Sequence, residues 1–247
     1  MPKSAVLYID LLGVQNLWAS GGSTAVSLRI NAFHRLVQRV IEEIPREAPG
    51  IHDYTVLLYG DAVTVLCENV KQAIELGIHF FVKSTFDEVN NRERPFWLRG
   101  AISTWRNHPG TGNTIDILLN DMTVGSNYIM EPDYLKVVAM EKSGFKGMRL
   151  LVEKKLVDID DYLINWPNGR PVSYVNTLQQ FGYSSIGQHA DVLWMVKERE
   201  TFKRLTGIIQ QRFKKSTGDE KELEQAAWTR ALFDQASSIT RYYQTFR

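Results

Sequence analysis

Residues 53–67 read DYTVLLYGDAVTVLC, in which two short runs rich in Val, Leu and Tyr flank a Gly60-Asp61 pair. Runs of this length and composition favour β-strands, and a Gly-Asp pair between two such runs is typical of a tight hairpin turn. The stretch therefore predicts two adjacent antiparallel strands with Asp61 at the turn that joins them.

The segments around this hairpin alternate between strand and helix patterns. Residues 4–12, SAVLYIDLL, predict a buried strand that ends at Gly13, and a Gly/Ser break follows at residues 21–23. Apolar spacing predicts helices over 24–44, 70–89 and 132–142, strands over 95–104 and 147–153, and a short segment around 115–119. This order predicts an α+β fold, a ferredoxin-like sandwich with helices on a mainly antiparallel sheet.

The chain changes character after about residue 185. Residues 191–214 and 219–245 are charged and have helical periodicity, and residues 216–219 separate them. We therefore expect one domain over 1–185 and a C-terminal extension over 186–247 in which two helices form a hairpin.

The composition argues against several classes of protein. The 247 residues are 44% hydrophobic and 23% charged with a formal net charge of +1, so no global field favours nucleic acid or an anionic membrane. No window reaches the roughly 18 apolar residues of a membrane span. Cys67 is the one cysteine and is expected to be a small buried side chain, and the five histidines are too dispersed for a zinc site. We expect a cytoplasmic protein that binds neither nucleic acid nor membrane.

Two aspartates at strand ends are the candidate metal-binding residues of the predicted sheet. Asp10 lies at the end of the first strand and Asp61 at the tip of the hairpin. In a ferredoxin-like sheet these positions meet at one end, where two close carboxylates raise each other's pKa and a divalent cation removes that cost. Two hard oxygen ligands together with substrate phosphates suit Mg²⁺ or Mn²⁺. The alternative is that both acids are turn residues with local roles.

Three short motifs stand in order along these strands. The first strand ends in YIDLLGV at residues 8–14, the hairpin carries LYGDA at residues 58–62, and a later strand carries LRGAIS at residues 98–103. This ordered set resembles the class III adenylyl and guanylyl cyclases over roughly residues 4–155. The resemblance implies the class III cyclase sandwich and an enzyme that cyclises a nucleoside triphosphate with release of pyrophosphate.

The resemblance also implies roles for individual residues. Asp10, Asp61 and the carbonyl oxygen of Leu11 would hold two Mn²⁺ or Mg²⁺ ions. The amides around Leu12, Gly13 and Val14 (residues 12–14) would cradle phosphate at a helix N-terminus. The site would form between the protomers of a homodimer.

The chain departs from the purine cyclases in two places. The helix over 132–142 lacks their N-x-x-x-R motif, so another cation has to stabilise the transition state. The candidates are Arg99, Arg106, Lys136 and Arg149, with a structural or surface role as the alternative for each. Leu57 stands where adenylyl cyclases carry a base-selecting Lys. Tyr54, on the same strand but the opposite face, is the candidate for contact with a pyrimidine base, and the alternative is an aromatic side chain that packs on a face of the sheet.

In these departures the chain resembles the bacterial pyrimidine cyclases of the Pycsar anti-phage systems. The matching stretches are VVAMEK at residues 137–142 and MRLLV at residues 148–152. The resemblance implies a UTP substrate, with CTP next, and a cyclic UMP or cyclic CMP product that acts on a separate effector protein. The alternatives are a catalytically degenerate cyclase-like module that binds a nucleotide or protein, a purine cyclase, and a palm-type nucleotidyltransferase.

Overall fold

The computed structural model describes residues 4–47, 54–87, 96–105, 132–142, 146–165, 171–177, 189–197, 202–215 and 220–242. In chain order the elements are β1 (Ala5–Leu11), α1 (Val14–Glu47), β2 (Thr55–Tyr59), β3 (Ala62–Cys67), α2 (Val70–Asp87), β4 (Leu98–Thr104), α3 (Pro132–Glu141), β5 (Leu150–Glu153), β6 (Leu163–Asn165), β7 (Pro171–Ser173), β8 (Val175–Thr177), β9 (His189–Val192), α4 (Trp194–Lys197), α5 (Phe202–Lys215) and α6 (Glu220–Tyr242). Two short 3₁₀ turns, Lys154–Leu156 and Ile159–Tyr162, follow β5.

One sheet carries seven of these strands in the order β2-β3-β1-β4-β5-β9-β8, and β6 and β7 form a separate pair. Every neighbouring pair in the large sheet is antiparallel except β4 and β5, which are parallel. The predicted α+β class with a mainly antiparallel sheet is confirmed. β1 lies between β3 and β4, so the strand that carries Asp10 is central.

Side chains alternate between the two faces of the sheet because successive residues of a strand point in opposite directions. Leu7 and Ile9 of β1 belong to the core that includes residues of α1 and α2. Val6 and Tyr8 belong to a second cluster that includes Val137 of α3. Asp10 continues the even-numbered series of β1 and therefore lies on the face that α3 covers, which we call the α3 face.

The first helix starts earlier than the sequence pattern indicates. α1 begins at Val14 and consists of two helical segments that meet at Gly22, whose φ of 66° and ψ of −169° are not helical. This positive φ is costly for residues with a side chain, so the glycine provides a break at the predicted position, and the segment before it is helical as well.

The C-terminal helices pack on the α1/α2 side of the sheet. α5 and α6 pair with each other, as the predicted hairpin requires, and Leu205 and Phe233 from them belong to the main core. The prediction that a helix starts at residue 191 is wrong, because β9 holds Asp191 and Val192 in antiparallel pairing with β5. The predicted division after residue 185 remains a prediction, and β9 lies beyond it in the same sheet.

Some predicted features lie outside the described residues: the segment around 115–119 and the break at 216–219. Cys67 is buried, as expected. None of the helices in the described part of the chain has the length and apolar character that crossing a bilayer requires.

Candidate active site

Asp10 and Asp61 meet at one end of the sheet. Asp10 is the second-last residue of β1, opposite Ala62 of β3. The amide of Leu11 donates a hydrogen bond of 2.8 Å to the carbonyl oxygen of Asp61 in the turn between β2 and β3. Both carboxylate residues are partly exposed. The backbone therefore brings together the two acids that the sequence singled out.

A side chain of helix α1 contacts the turn that carries Asp61. Gly60 has φ 53°, a left-handed conformation that glycine adopts at little cost. Its carbonyl oxygen lies 2.7 Å from Nε2 of His34 in α1, so this nitrogen carries the proton and donates. His34 was not predicted as part of the site, because a contact between a helix and a distant turn leaves no periodic signal in the sequence.

The negative charge around Asp10 exceeds what its neighbours neutralise. Burial is the main cause that raises the pKa of Asp10 to about 7, and the charges of Glu141 and Asp61 add to the rise. Arg99 and Lys142 act in the opposite direction. A carboxylate that is expensive to ionise beside two further acids is a place where a cation lowers the electrostatic free energy.

Glu141, the last residue of α3, is the third acid of the site and has no exposed surface. Its Oε1 accepts from Nε of Arg99 in an ion pair whose arginine is partly exposed. Burial nevertheless raises the pKa of Glu141 above its usual value. Glu141 was not predicted as a site residue, because its proximity to Asp10 comes from the packing of α3 on the sheet.

Arg149 lies two strands away from Asp10 in the sheet and is already paired with another carboxylate. It precedes β5 and is only 2% exposed. Its Nη1 donates to Oδ2 of Asp191 in a buried ion pair, and its Nε donates to the carbonyl oxygen of Lys146 at 3.0 Å. The structure therefore places Arg99, but not Arg149, next to Asp10.

The predicted phosphate cradle lies between β1 and α1. Gly13 has φ 87°, and its carbonyl oxygen accepts the first helical hydrogen bond of α1 from Leu17 at 3.1 Å. The amide of Leu12 donates to the carbonyl oxygen of Trp97 at 2.8 Å. The amide of Leu12 therefore already has an acceptor, and the candidates for binding phosphate are the amides of Gly13 and Val14 at the helix N-terminus.

The two predicted base contacts lie on opposite faces of the sheet. Leu57 is 2% exposed and pairs with Thr64 of β3, on the α3 face with Asp10. Tyr54 packs against the core on the α1/α2 side. The structure therefore brings Leu57, but not Tyr54, to the face that carries Asp10.

Two other tyrosines lie on the α3 face. The ring centroids of Tyr8 in β1 and Tyr134 in α3 are 6.0 Å apart in an edge-to-face arrangement. Burial is the main cause that raises the pKa of the Tyr8 hydroxyl well above its usual range, and the charge of Asp10 contributes. A third tyrosine, Tyr59 of β2, lies on the same face, opposite Ala62 of β3. No sequence motif marks these rings.

The donor set fits a hard divalent cation. Across the described ranges, no group of three or more His, Cys, Asp or Glu side chains is arranged to hold a metal. The candidate site is instead a pair of carboxylates, and Mg²⁺ and Mn²⁺ commonly bind to one or two carboxylates together with substrate phosphates. The predicted contribution of the Leu11 carbonyl oxygen remains a prediction.

Comparison with protein-family models gives no match, and comparison with curated protein sequences gives none. Among solved structures, the chain is similar to adenylate cyclases from Trypanosoma brucei in their monomeric state (12% identity, 77% of this chain and 86% of that one, TM-score 0.45). It is also similar to the guanylyl cyclase Cya2 (12%, 78% and 94%, TM-score 0.45). A third is the catalytic core of a rhodopsin-guanylyl cyclase with converted specificity, in complex with ATPalphaS (10%, 77% and 94%, TM-score 0.40).

Proposed function

We propose that the protein is a metal-dependent nucleotide cyclase whose metal ligands are Asp10 and Asp61. The observation that carries the proposal is the meeting of these two acids at a site with surplus negative charge, where the pKa of Asp10 rises to about 7. Bound Mg²⁺ or Mn²⁺ would supply positive charge for the triphosphate and for the attacking hydroxyl.

In the proposed reaction the ribose 3′-oxygen forms a bond to the α-phosphorus, and the bond from that phosphorus to the bridging oxygen breaks. Pyrophosphate leaves and the hydroxyl proton passes to solvent. The amides of Gly13 and Val14 at the start of α1 would bind phosphate oxygens. Arg99, directly opposite Asp10 across β1 and β4, is the proposed cation for the transition-state charge, with Arg149 as the second candidate.

The proposed substrate is UTP, with CTP next, and the proposed product is the 3′,5′-cyclic nucleotide. This choice is supported by Leu57, which is buried on the Asp10 face and offers no hydrogen bond to a purine. The sequence resemblance over residues 137–142 and 148–152 supports the same choice. By the same resemblance, the proposed context is a homodimer in anti-phage defence whose product acts on a separate effector.

The ion pairs of the two candidate arginines favour a second candidate function. Arg99 is paired with Glu141 and Arg149 with Asp191, so both predicted transition-state cations already have carboxylate partners. This arrangement suits a catalytically degenerate module that binds a nucleotide without converting it. Such a module would bind UTP and Mn²⁺ and release no pyrophosphate.

The test is incubation of the purified protein with each of the four nucleoside triphosphates and Mn²⁺, with products identified by mass spectrometry. We expect a cyclic pyrimidine nucleotide from the wild type and none from Asp61→Asn, which keeps the shape of the side chain. Asp234→Asn, a change at an exposed acid on α6, is the matched control and should retain turnover. A purine product alone would exclude the pyrimidine proposal, and no cyclic product from any substrate would exclude the enzyme.

A further inference from the structure

A basic side chain lies opposite Asp10 in the sheet. Arg99 of β4 is the antiparallel partner of Asp10 of β1, so both side chains point to the α3 face. Cβ atoms of such directly opposed residues lie about 4.5–5.5 Å apart, and opposite charges at these positions form cross-strand ion pairs. An Arg99–Asp10 pair would occupy the carboxylate that the proposed metal needs.

The structure shows a different pairing for Arg99. Its Nε donates to Oε1 of Glu141, which α3 places over the sheet. Glu141 has no exposed surface, and its Oε2 has no hydrogen-bond partner among the residues that the structure describes. A carboxylate buried this deeply is retained at a large desolvation cost, which its attraction to Arg99 offsets.

We propose that Glu141 is a positioning residue that draws Arg99 away from Asp10 and so keeps the Asp10 carboxylate available to a divalent cation. The inference rests on the proposed function, because it assumes that Asp10 and Asp61 bind the metal. Its physical basis is competition between two carboxylates for one guanidinium. If Glu141 no longer accepts from Arg99, Asp10, directly across the strand pair, is a carboxylate that can take its place.

Two substitutions of Glu141 separate this role from a simple effect of charge. Glu141→Gln removes the negative charge and keeps an oxygen that accepts from Nε of Arg99. Glu141→Leu removes both the charge and the acceptor. If Glu141 acts by holding Arg99, the leucine variant loses more Mn²⁺ affinity than the glutamine variant, by about tenfold, which is within the range of couplings between contacting residues.

The measurement is Mn²⁺ binding to the full chain by electron paramagnetic resonance titration without nucleotide, so it does not depend on turnover. Each Glu141 variant is also made in an Arg99→Met background. We expect the difference between leucine and glutamine to disappear there, because no guanidinium remains to move to Asp10. The double variant Arg99→Met/Glu141→Leu replaces the ion pair with apolar side chains, an exchange that proteins often tolerate.

Circular dichroism first establishes that each variant is folded. If Glu141→Leu alone is unfolded, Glu141→Met, which also removes the charge and the acceptor but keeps more of the length of the side chain, replaces it in the same comparison with glutamine. Equal losses in both backgrounds, or equal losses for leucine and glutamine, would overturn the inference and leave the metal site intact. Wild-type Mn²⁺ binding that Asp61→Asn leaves unchanged would overturn the proposed metal ligands and this inference with them, whereas failure of the proposed function is read from the product assay.

Discussion

The amide of Leu11 donates a 2.8 Å hydrogen bond to the carbonyl oxygen of Asp61, so main-chain atoms join the two acid-bearing segments. The side chains of Asp10 and Asp61 are not needed for this link. Substitutions of either carboxylate should therefore leave the sheet in place and change the electrostatics of the site.

The stability of the metal-free protein should fall as pH rises through the range in which Asp10 ionises. The folded-state pKa of about 7 lies above the usual value of 3.8, so the folded state binds the proton more tightly than the unfolded state does. We expect Asp10→Asn to raise the free energy of unfolding at pH 8 by about 1–3 kcal/mol and to change it little at pH 4. Urea unfolding in EDTA checks this, and a gain that is the same at both pH values would contradict it.

His34 should hold the turn that carries Asp61. Its Nε2 lies 2.7 Å from the carbonyl oxygen of Gly60, so His34→Ala removes a donor and should cost about 1 kcal/mol of stability. Mn²⁺ affinity should fall severalfold, because Asp61 follows Gly60 directly. His34→Gln supplies an amide donor and is the control. Unchanged Mn²⁺ binding in His34→Ala would show that the turn holds its own shape.

The buried pair of Arg149 and Asp191 should matter more for stability than an exposed pair. Asp191→Ala leaves the guanidinium buried without its carboxylate, and we expect a loss of about 3–5 kcal/mol in urea unfolding. Asp234→Ala removes the partner of Arg230 at an exposed pair on α6 and should cost less than about 1 kcal/mol. Similar losses for both variants would show that burial does not set the cost here.

Arg212 should connect the C-terminal helices to the candidate site. In α5 its guanidinium donates to the carbonyl oxygens of Phe96 at 3.2 Å and Thr85 at 3.1 Å, next to Trp97, whose carbonyl oxygen accepts from Leu12. We expect Arg212→Met to speed hydrogen exchange at the Leu12 amide while the centre of β1 stays protected. Arg212→Lys, which keeps a cation, should have a smaller effect. Unchanged exchange at Leu12 would mean that the helices do not support this turn.

Within the described ranges, the sequence predicted the elements from β1 to β5 in order, because each has either a short apolar run or clear helical spacing. It missed β6 to β9, which span only three or four residues each and depend on tertiary pairing. Asp191 shows the cause: beside Val192 and Trp194 it fits a helical pattern, and only its partner in β5 makes it part of a strand. Short strands of this kind carry too little local pattern for sequence to identify them.

The candidate site was predictable where a motif marks it. Asp10 and Asp61 lie next to glycine-containing turns at strand ends, so their position in the sequence indicated their meeting. Glu141 and His34 reach the site from helices, and helical spacing reports only that a face is buried, not what lies beneath it. Their roles became visible only through the contacts of α3 and α1 with the sheet.

The most direct test of the central claim is to locate the metal itself. A crystal of the protein with Mn²⁺ and a UTP analogue that carries a methylene group between the α- and β-phosphorus atoms would show Mn²⁺ by anomalous scattering. We predict a peak in direct contact with carboxylate oxygens of both Asp10 and Asp61 and with the phosphates, and its loss in Asp61→Asn. Bound analogue with no Mn²⁺ at either aspartate would contradict the account.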